Sequence, residues 1–169
     1  MPTLYLMRHA KSDWHSTSQT DFDRPLNNRG SEDAVRMGHW LATQSLKPQV
    51  LLVASPAQRA RQTVLAVAEI LDIHEDEIAF KQELYLASQP TLVNILRAVT
   101  DSTESVLLIA HNPGLDELVK WLDSESPPVT ESGKLMTTAA VARFKLPDSW
   151  AKLNPGEAKL QQLQRPREL

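Results

Sequence analysis

The chain has 169 residues, of which 41% are hydrophobic and 23% are charged, a composition typical of a folded protein with a substantial core. Its formal net charge of −3 lacks the basic excess of nucleic-acid-binding proteins, so we expect no nucleic-acid partner. The absence of cysteine excludes disulfides, thiolate metal sites and a cysteine nucleophile.

The N-terminus resembles neither a signal peptide nor a membrane anchor. Its short apolar run is interrupted by Arg8 and His9, and no segment reaches membrane-spanning length. We therefore expect a cytoplasmic protein without a membrane partner. No repeat or linker divides the chain, so we expect a single domain over residues 1–169, and no feature demands more than a monomer.

In the first half of the chain, apolar strands and amphipathic helices alternate. The run VLLVA at residues 50–54 is typical of a strand buried on both faces. Ser55 as N-cap and Pro56 as the first helical residue then predict a helix. Residues 14–30 are polar and predict a loop, which is long enough to suggest that it serves a functional site. The predicted elements are a strand at 3–7, a loop at 14–30, a helix at 31–45, a strand at 50–54 and a helix from 55 to about 71.

The second half continues the alternation. The run SVLLIA at residues 105–110 predicts a third buried strand, and Asn112-Pro113 repeats the pattern of a cap followed by proline. The predicted elements are a weaker strand at 78–81, a helix at 89–99, a strand at 105–110, a helix from 112 to about 122, a strand at 139–144 and a short edge strand at 158–161.

Three apolar strands that each lead into a helix predict an α/β fold, a single three-layer α/β/α domain with a mainly parallel central sheet. In such sheets, ligands bind beyond the carboxyl ends of the strands. Arg8 and His9 end the first predicted strand, Arg59 follows the second, and His111 ends the third.

These four side chains suit phosphoryl chemistry. Arginine presents several donors in a plane that matches a phosphoryl dianion, and Arg59 falls in the first turn of its predicted helix, where anions are favoured. A neutral imidazole can attack phosphorus. A second, protonated imidazole can stabilise the charge that develops in the transition state.

Four segments together resemble the histidine phosphatase, or phosphoglycerate-mutase-like, superfamily. They are MRHAKSDW at 7–14, DFDRPLNNRG at 21–30, SPAQRARQT at 55–63 and AHNPG at 110–114. The resemblance is to the small SixA-like phosphohistidine phosphatases, and it extends from residue 3 to about residue 144. It differs in one place, since the usual Arg-His-Gly is here Arg-His-Ala.

The resemblance implies a phosphoglycerate-mutase-like fold and a phosphatase that uses neither metal nor cofactor. It makes His9 the nucleophile that becomes phosphorylated, Arg8 and Arg59 phosphate-binding residues, and His111 the second active-site histidine. It also selects Arg59 over Arg61, which helix geometry alone does not separate.

The remaining candidates are a proton donor and two further phosphate ligands. Many superfamily members carry an acid on an inserted segment for which this chain has no room, and Glu83 is the nearest candidate. Lys11 and Ser12 follow the nucleophile and are candidates to bind substrate. No metal-ligand spacing and no glycine-rich phosphate loop occurs in the sequence.

Three functions stay open at this stage. The first is hydrolysis of phosphohistidine on a protein, such as a histidine phosphotransfer domain, because an imidazole with a pKa near ~6.5 leaves without a strong acid. The second is hydrolysis of a small phosphate ester, whose alkoxide needs a proton donor. The third is a non-catalytic phosphate-binding module, which the intact Arg8, His9, Arg59 and His111 disfavour.

Overall fold

The computed structural model describes residues 1–18, 20–46 and 49–169. Gln19, in the predicted loop, therefore lies outside the described residues. The strands are β1 (Thr3–Arg8), β2 (Val50–Ala54), β3 (Ala79–Phe80), β4 (Ser105–Ala110), β5 (Val141–Lys145) and β6 (Lys159–Gln164). The helices are α1 (Asn28–Ala42), α2 (Gln58–Ile70), α3 (Gln89–Arg97) and α4 (Gly114–Leu122). None of the helices in the described part of the chain is long and apolar enough to cross a membrane.

The strands form one sheet in the order β3-β2-β4-β1-β5-β6. The pairs β3–β2, β2–β4 and β4–β1 are parallel, whereas β5 runs antiparallel to β1 and β6 antiparallel to β5. The predicted α/β fold with a mainly parallel central sheet is confirmed. The bounds of β2 and β4 coincide with the two apolar runs of the sequence.

Two hydrophobic clusters cover the two faces of the sheet. On β1, Leu4 and Leu6 belong to the cluster under α3 and α4, while Tyr5 and Met7 belong to the cluster under α1 and α2. This alternation is the period of two that a strand imposes on its side chains. A strand buried on both faces has no polar side for solvent, which explains its continuous apolar sequence.

Helix starts are where the sequence predictions were least accurate. Helix α1 begins at Asn28 because the Asn27 side chain caps it by accepting a hydrogen bond from the Gly30 N–H at 2.8 Å. Helix α2 begins at Gln58, so the prediction of a Ser55 cap and of Pro56 as first helical residue was wrong. Helix α4 likewise begins after Pro113, at Gly114.

Strand ends also shifted where local contacts compete with pairing. Ala139 has a φ of 64°, and its N–H lies 3.1 Å from the carbonyl oxygens of both Arg8 and His9. This turn occupies the first residues of the strand that we predicted at 139–144, so β5 starts at Val141. The last strand, β6, is longer than predicted and runs as far as Gln164.

Gly30 allows a close contact on which the site depends. A Cβ atom at this position would lie 2.1 Å from the Lys11 carbonyl oxygen, which is far inside van der Waals contact. The same carbonyl accepts a hydrogen bond from the Asn27 N–H at 3.0 Å. The first turn of α1 is thereby held directly against the segment that follows β1.

Candidate active site

The candidate active site lies at the carboxyl ends of β1, β2 and β4. Arg8 pairs with Ala110 at the ends of β1 and β4, and the His9 N–H donates to the Ala110 carbonyl at 3.2 Å. The Ser55 N–H donates to the Ile109 carbonyl at 3.0 Å. The residues that follow the three strands are therefore neighbours, as the sequence predicted from strand polarity.

These strand ends border a cavity of about 330 Å³ that is open to solvent. The four residues that the sequence singled out first, namely Arg8, His9, Arg59 and His111, all line it. Lys11 and Ser12 also line it. Their binding of substrate stays a prediction.

His9 is buried, with only 7% of its surface exposed, and a hydrogen bond of its ring identifies its tautomer. Nδ1 lies 2.7 Å from the Ala10 carbonyl oxygen, which can only accept, so Nδ1 carries the proton. The lone pair of the neutral ring is then on Nε2. Burial lowers the pKa of His9, the hydrogen bond to Ala10 opposes this, and the nearby His111, Arg8 and Arg59 lower the pKa as well, with a net value of about 3. His9 is thus a neutral imidazole at neutral pH, with a free lone pair on Nε2.

His111 stands beside His9, with the two ring centroids 5.2 Å apart. Its Nε2 lies 2.7 Å from Ser55 Oγ, and Ser55 Oγ also accepts a hydrogen bond from the Ala57 N–H at 3.3 Å. Burial, followed by the charge of Arg59, lowers the pKa of His111 to about 4. The empty site therefore holds a neutral His111, and an incoming dianion would favour its protonation.

Only 3% of the Arg59 surface is exposed, because α2 directs the side chain inward and not into solvent. Its Nη1 donates to the Asp21 carbonyl at 2.7 Å and its Nη2 to Asp21 Oδ2 at 3.0 Å. Arg8 donates from Nη1 to the Met136 carbonyl at 3.1 Å. Each arginine is oriented by the terminal nitrogens of its guanidinium.

Three buried nitrogen atoms of the residues around the cavity have no hydrogen-bond partner among the described residues. They are Arg8 Nε, Arg59 Nε and His111 Nδ1. Such groups are expensive to bury unsatisfied, and two of them belong to positively charged guanidinium groups. Arg8, Arg59 and His111 line the same cavity as His9, and the two guanidinium charges favour the binding of a small oxyanion there.

Asp21 is a site residue that the sequence analysis did not identify. Its carboxylate accepts hydrogen bonds from Arg59, from Arg24 Nη2 at 2.7 Å and from the Tyr85 hydroxyl at 2.5 Å. Burial alone would raise its pKa, but the bonds from Tyr85, Arg24 and Arg59 outweigh burial and hold the pKa well below its usual range. Asp21 is therefore an ionised partner of the arginines and not a proton donor.

The loop before α1 delivers Asp21 to the site. The Gln58 N–H donates to the Phe22 carbonyl at 2.9 Å, and Gln62 Oε1 accepts from the Leu26 N–H at 2.7 Å. The start of α2 thus holds both the loop and Arg59. The segment DFDRPLNNRG contained the signal, but no spacing within it separated Asp21 from its polar neighbours.

Glu83 is not brought into the site, so its candidacy as the proton donor loses its geometric basis. It is exposed within the short 3-10 turn Gln82–Leu84 and does not line the cavity. The turn buries Leu84 completely, and its neighbour Glu83 faces outward as a result. Tyr85 instead reaches the site, edge-on to His111 with ring centroids 5.6 Å apart.

Thr63 links α2 to the segment after His9. Its hydroxyl donates to the Arg59 carbonyl at 2.7 Å and accepts from the Ala10 N–H at 3.0 Å.

Across residues 1–18, 20–46 and 49–169, no group of three His, Asp or Glu side chains could hold a metal ion. The cavity combines a neutral imidazole with two guanidinium groups, which suits nucleophilic attack at the phosphorus of a bound phosphoryl group.

Sequence and structure comparisons agree with this geometry. A family model described as the histidine phosphatase superfamily (branch 1) matches residues 4–84. An uncharacterized chloroplastic protein of Arabidopsis thaliana is 30% identical over 175 residues, spanning 96% of this chain and 77% of that protein. An uncharacterized protein of Mycobacterium tuberculosis is 30% identical over 158 residues, spanning 91% of this chain and 96% of that protein.

The solved structure of the protein histidine phosphatase SixA complexed with tungstate is similar over 98% of both chains, with a TM-score of 0.78 and 26% identity. Fold, site and comparisons together define a phosphatase, and the chain belongs to the histidine phosphatase superfamily. Within that superfamily it falls in the SixA-like branch.

Proposed function

We propose that this phosphatase hydrolyses phosphohistidine on a protein, independently of metal, through a covalent intermediate at His9. The observation that supports the proposal is that Arg8, Arg59 and His111 line the same open cavity as the neutral imidazole of His9. A phosphoryl group bound in that cavity would lie beside two guanidinium groups and close to the His9 ring.

The reaction has two displacements. In the first, a bond forms between His9 Nε2 and phosphorus as the phosphorus–nitrogen bond of the substrate breaks, and the leaving imidazole retains the electron pair and takes a proton from solvent. In the second, the oxygen of a water molecule bonds to phosphorus as the bond between phosphorus and His9 Nε2 breaks, the electron pair returns to Nε2, and inorganic phosphate leaves while a proton of the attacking water passes to solvent. Arg8 and Arg59 balance the charge of the phosphoryl oxygens throughout.

We propose a substrate with a phosphorus–nitrogen bond because neither candidate carboxyl group, Glu83 or Asp21, is placed to act as a proton donor. Glu83 is outside the cavity, and Asp21 is held ionised by its hydrogen bonds. An alkoxide leaving group depends on a proton donor, whereas an imidazole with a pKa near ~6.5 is readily protonated by solvent. The relation to a protein histidine phosphatase points to the same substrate class.

The test is phosphate release from a histidine-phosphorylated phosphotransfer domain in the presence of chelator, compared with phosphoserine and small phosphate esters. We expect release from phosphohistidine only, together with an acid-labile phosphoryl label on the wild-type protein that His9→Ala lacks. Rapid hydrolysis of a small ester with no release from phosphohistidine would instead indicate a phosphomonoesterase that acts on a small metabolite. Absence of any label or release would leave only a phosphate-binding module.

A further inference from the structure

Two large apolar side chains stand exposed at the mouth of the active-site cavity. Trp14 is 74% exposed and Leu86 is 56% exposed, and both line the cavity. Isolated apolar side chains on a surface are ordinary, but two at the entrance of one site form a feature that suits a binding partner. We call Trp14 and Leu86 the apolar rim.

Leu86 occupies a backbone position that does not favour leucine. Its φ is 50°, in the left-handed region where glycine and asparagine are the least strained residues. The turn is fixed on both sides, since the Ala87 N–H donates to the Leu84 carbonyl at 3.2 Å. A Cβ at Gly114 of α4 would lie 2.1 Å from the Ala87 carbonyl oxygen, so α4 abuts the turn. Backbone strain of this kind clusters at functional positions.

Trp14 is held in place by Arg24, a residue of the loop before α1. The guanidinium carbon of Arg24 lies 3.6 Å from the centroid of the Trp14 ring. Arg24 is itself bonded to Ser12 Oγ and Asp21. One face of the indole is thus covered by a cation that belongs to the site, and the exposed remainder of the ring is available to a partner.

The geometry points to a specificity surface: the apolar rim contacts apolar side chains that flank the phosphohistidine on a folded protein. The inference rests on the proposed function. Arg8, Lys11, Arg24 and Arg59 face a single lining carboxylate, Asp21, among the described residues, so the cavity attracts the phosphoryl dianion. The apolar rim adjoins that cationic cavity and offers apolar surface, which complements the apolar side chains of a protein surface.

The deciding experiment compares two substrates with the same reacting bond. One is a histidine phosphotransfer domain phosphorylated with phosphoramidate, and the other is free phosphohistidine. The key variant is Leu86→Asn, which suits the left-handed backbone while removing the apolar surface. We expect the ratio of kcat/KM for the protein to kcat/KM for free phosphohistidine to fall about tenfold, mainly through KM for the protein.

Trp14→Ala is expected to lower the same ratio by a similar factor. The matched control is Val129→Asn, because Val129 is another exposed apolar residue, at 53%, that does not line the cavity. The control ratio is expected to equal that of the wild type. Thermal melting of each variant checks that it is folded.

The outcomes separate the two proposals. If the wild type dephosphorylates the domain and Leu86→Asn keeps the wild-type ratio, or loses both substrates by the same factor, the apolar rim is not a specificity surface and the proposed function stands. If the wild type leaves the domain phosphorylated while hydrolysing small esters, the proposed function fails and the apolar rim fails with it.

Discussion

Among the described residues, the His9 side chain makes one hydrogen bond, to the carbonyl of its own neighbour Ala10, and its ring borders a cavity open to solvent. Replacing it with alanine removes the proposed nucleophile, and the volume that the buried ring leaves would join that open cavity instead of forming a closed void in the core. We expect His9→Ala to lose at least about 10³-fold in kcat and all covalent phosphate, while the melting temperature stays near that of the wild type. Phosphate release and calorimetry measure the two effects, and a collapsed melting temperature would instead make His9 a structural residue.

Arg59 uses two nitrogens on Asp21 and keeps a third unpartnered. A lysine has one ammonium and cannot reproduce this planar set. We therefore expect Arg59→Lys to reduce kcat/KM by about 10²-fold or more, despite its unchanged charge. Arg61→Lys is the matched control, since Arg61 lies on the same helix and contacts the exposed Glu75. Equal turnover in both variants would contradict the assignment of Arg59.

At the scale of single residues, the sequence predicted those side chains whose position follows from strand ends. Arg8, His9 and His111 end or follow buried strands that hydrophobicity alone delimits. Asp21 and Tyr85 were missed because a loop and a short turn place them at the cavity. The conformation of a loop depends on individual hydrogen bonds, which leave no periodic pattern in the sequence. Glu83 was misplaced for the same reason, since the burial of Leu84 fixes which way its turn faces.

At the scale of elements, the contact between α1 and the segment after β1 offers a test. Gly30 lies in the first turn of α1, where alanine would ordinarily stabilise a helix by about 1 kcal/mol. Here a Cβ would press on the Lys11 backbone, which cannot move without shifting the neighbours of His9. We expect Gly30→Ala to lower both the free energy of unfolding and kcat.

Gly38 of the same helix supplies the control for that variant. A Cβ there would meet the far end of the Ile70 side chain at 2.7 Å, and a flexible side chain can move aside more easily than a backbone. We expect Gly38→Ala to preserve kcat and to cost less stability than Gly30→Ala. Urea unfolding and steady-state kinetics decide the comparison, and a reversed order would refute the importance of the contact with Lys11.

The elements themselves were more predictable than their ends. The apolar runs of β2 and β4 gave both bounds because a strand buried on two faces must be apolar throughout. Ser55 and Pro56 looked like a helix start, but Ser55 Oγ bonds to His111, a residue from another strand. A local capping signal cannot reveal that a tertiary hydrogen bond will use the same hydroxyl.

At the scale of the whole molecule, two buried neutral histidines make stability depend on pH. The folded protein holds the pKa of His9 at about 3 and that of His111 at about 4, whereas both titrate near 6.5 when unfolded. Below pH 6.5 the unfolded chain therefore binds more protons, and the free energy of unfolding falls as the pH falls. The window from pH 7 to pH 5 reports this effect with little contribution from carboxylates.

We expect the free energy of unfolding, measured in urea at pH 7, 6 and 5, to decrease less steeply for His111→Asn than for the wild type. Asparagine keeps a polar group near Ser55 but takes up no proton. The exposed His74 gives the control variant His74→Asn, whose slope should match that of the wild type. Identical slopes for all three proteins would show that His111 is not held neutral in the folded state.

The pairing of Arg8 with Ala110 also has a consequence for the order in which the chain folds and becomes active. The rings of His9 and His111 stand side by side, yet these residues are about a hundred positions apart in the chain. Contacts between residues so far apart in sequence form slowly, because a long loop must first be closed. Recovery of turnover after dilution from denaturant should therefore lag behind helix formation, and activity becomes a reporter of completed sheet assembly. A nascent chain that stops before β4 carries His9 but not His111, and so lacks half of the histidine pair.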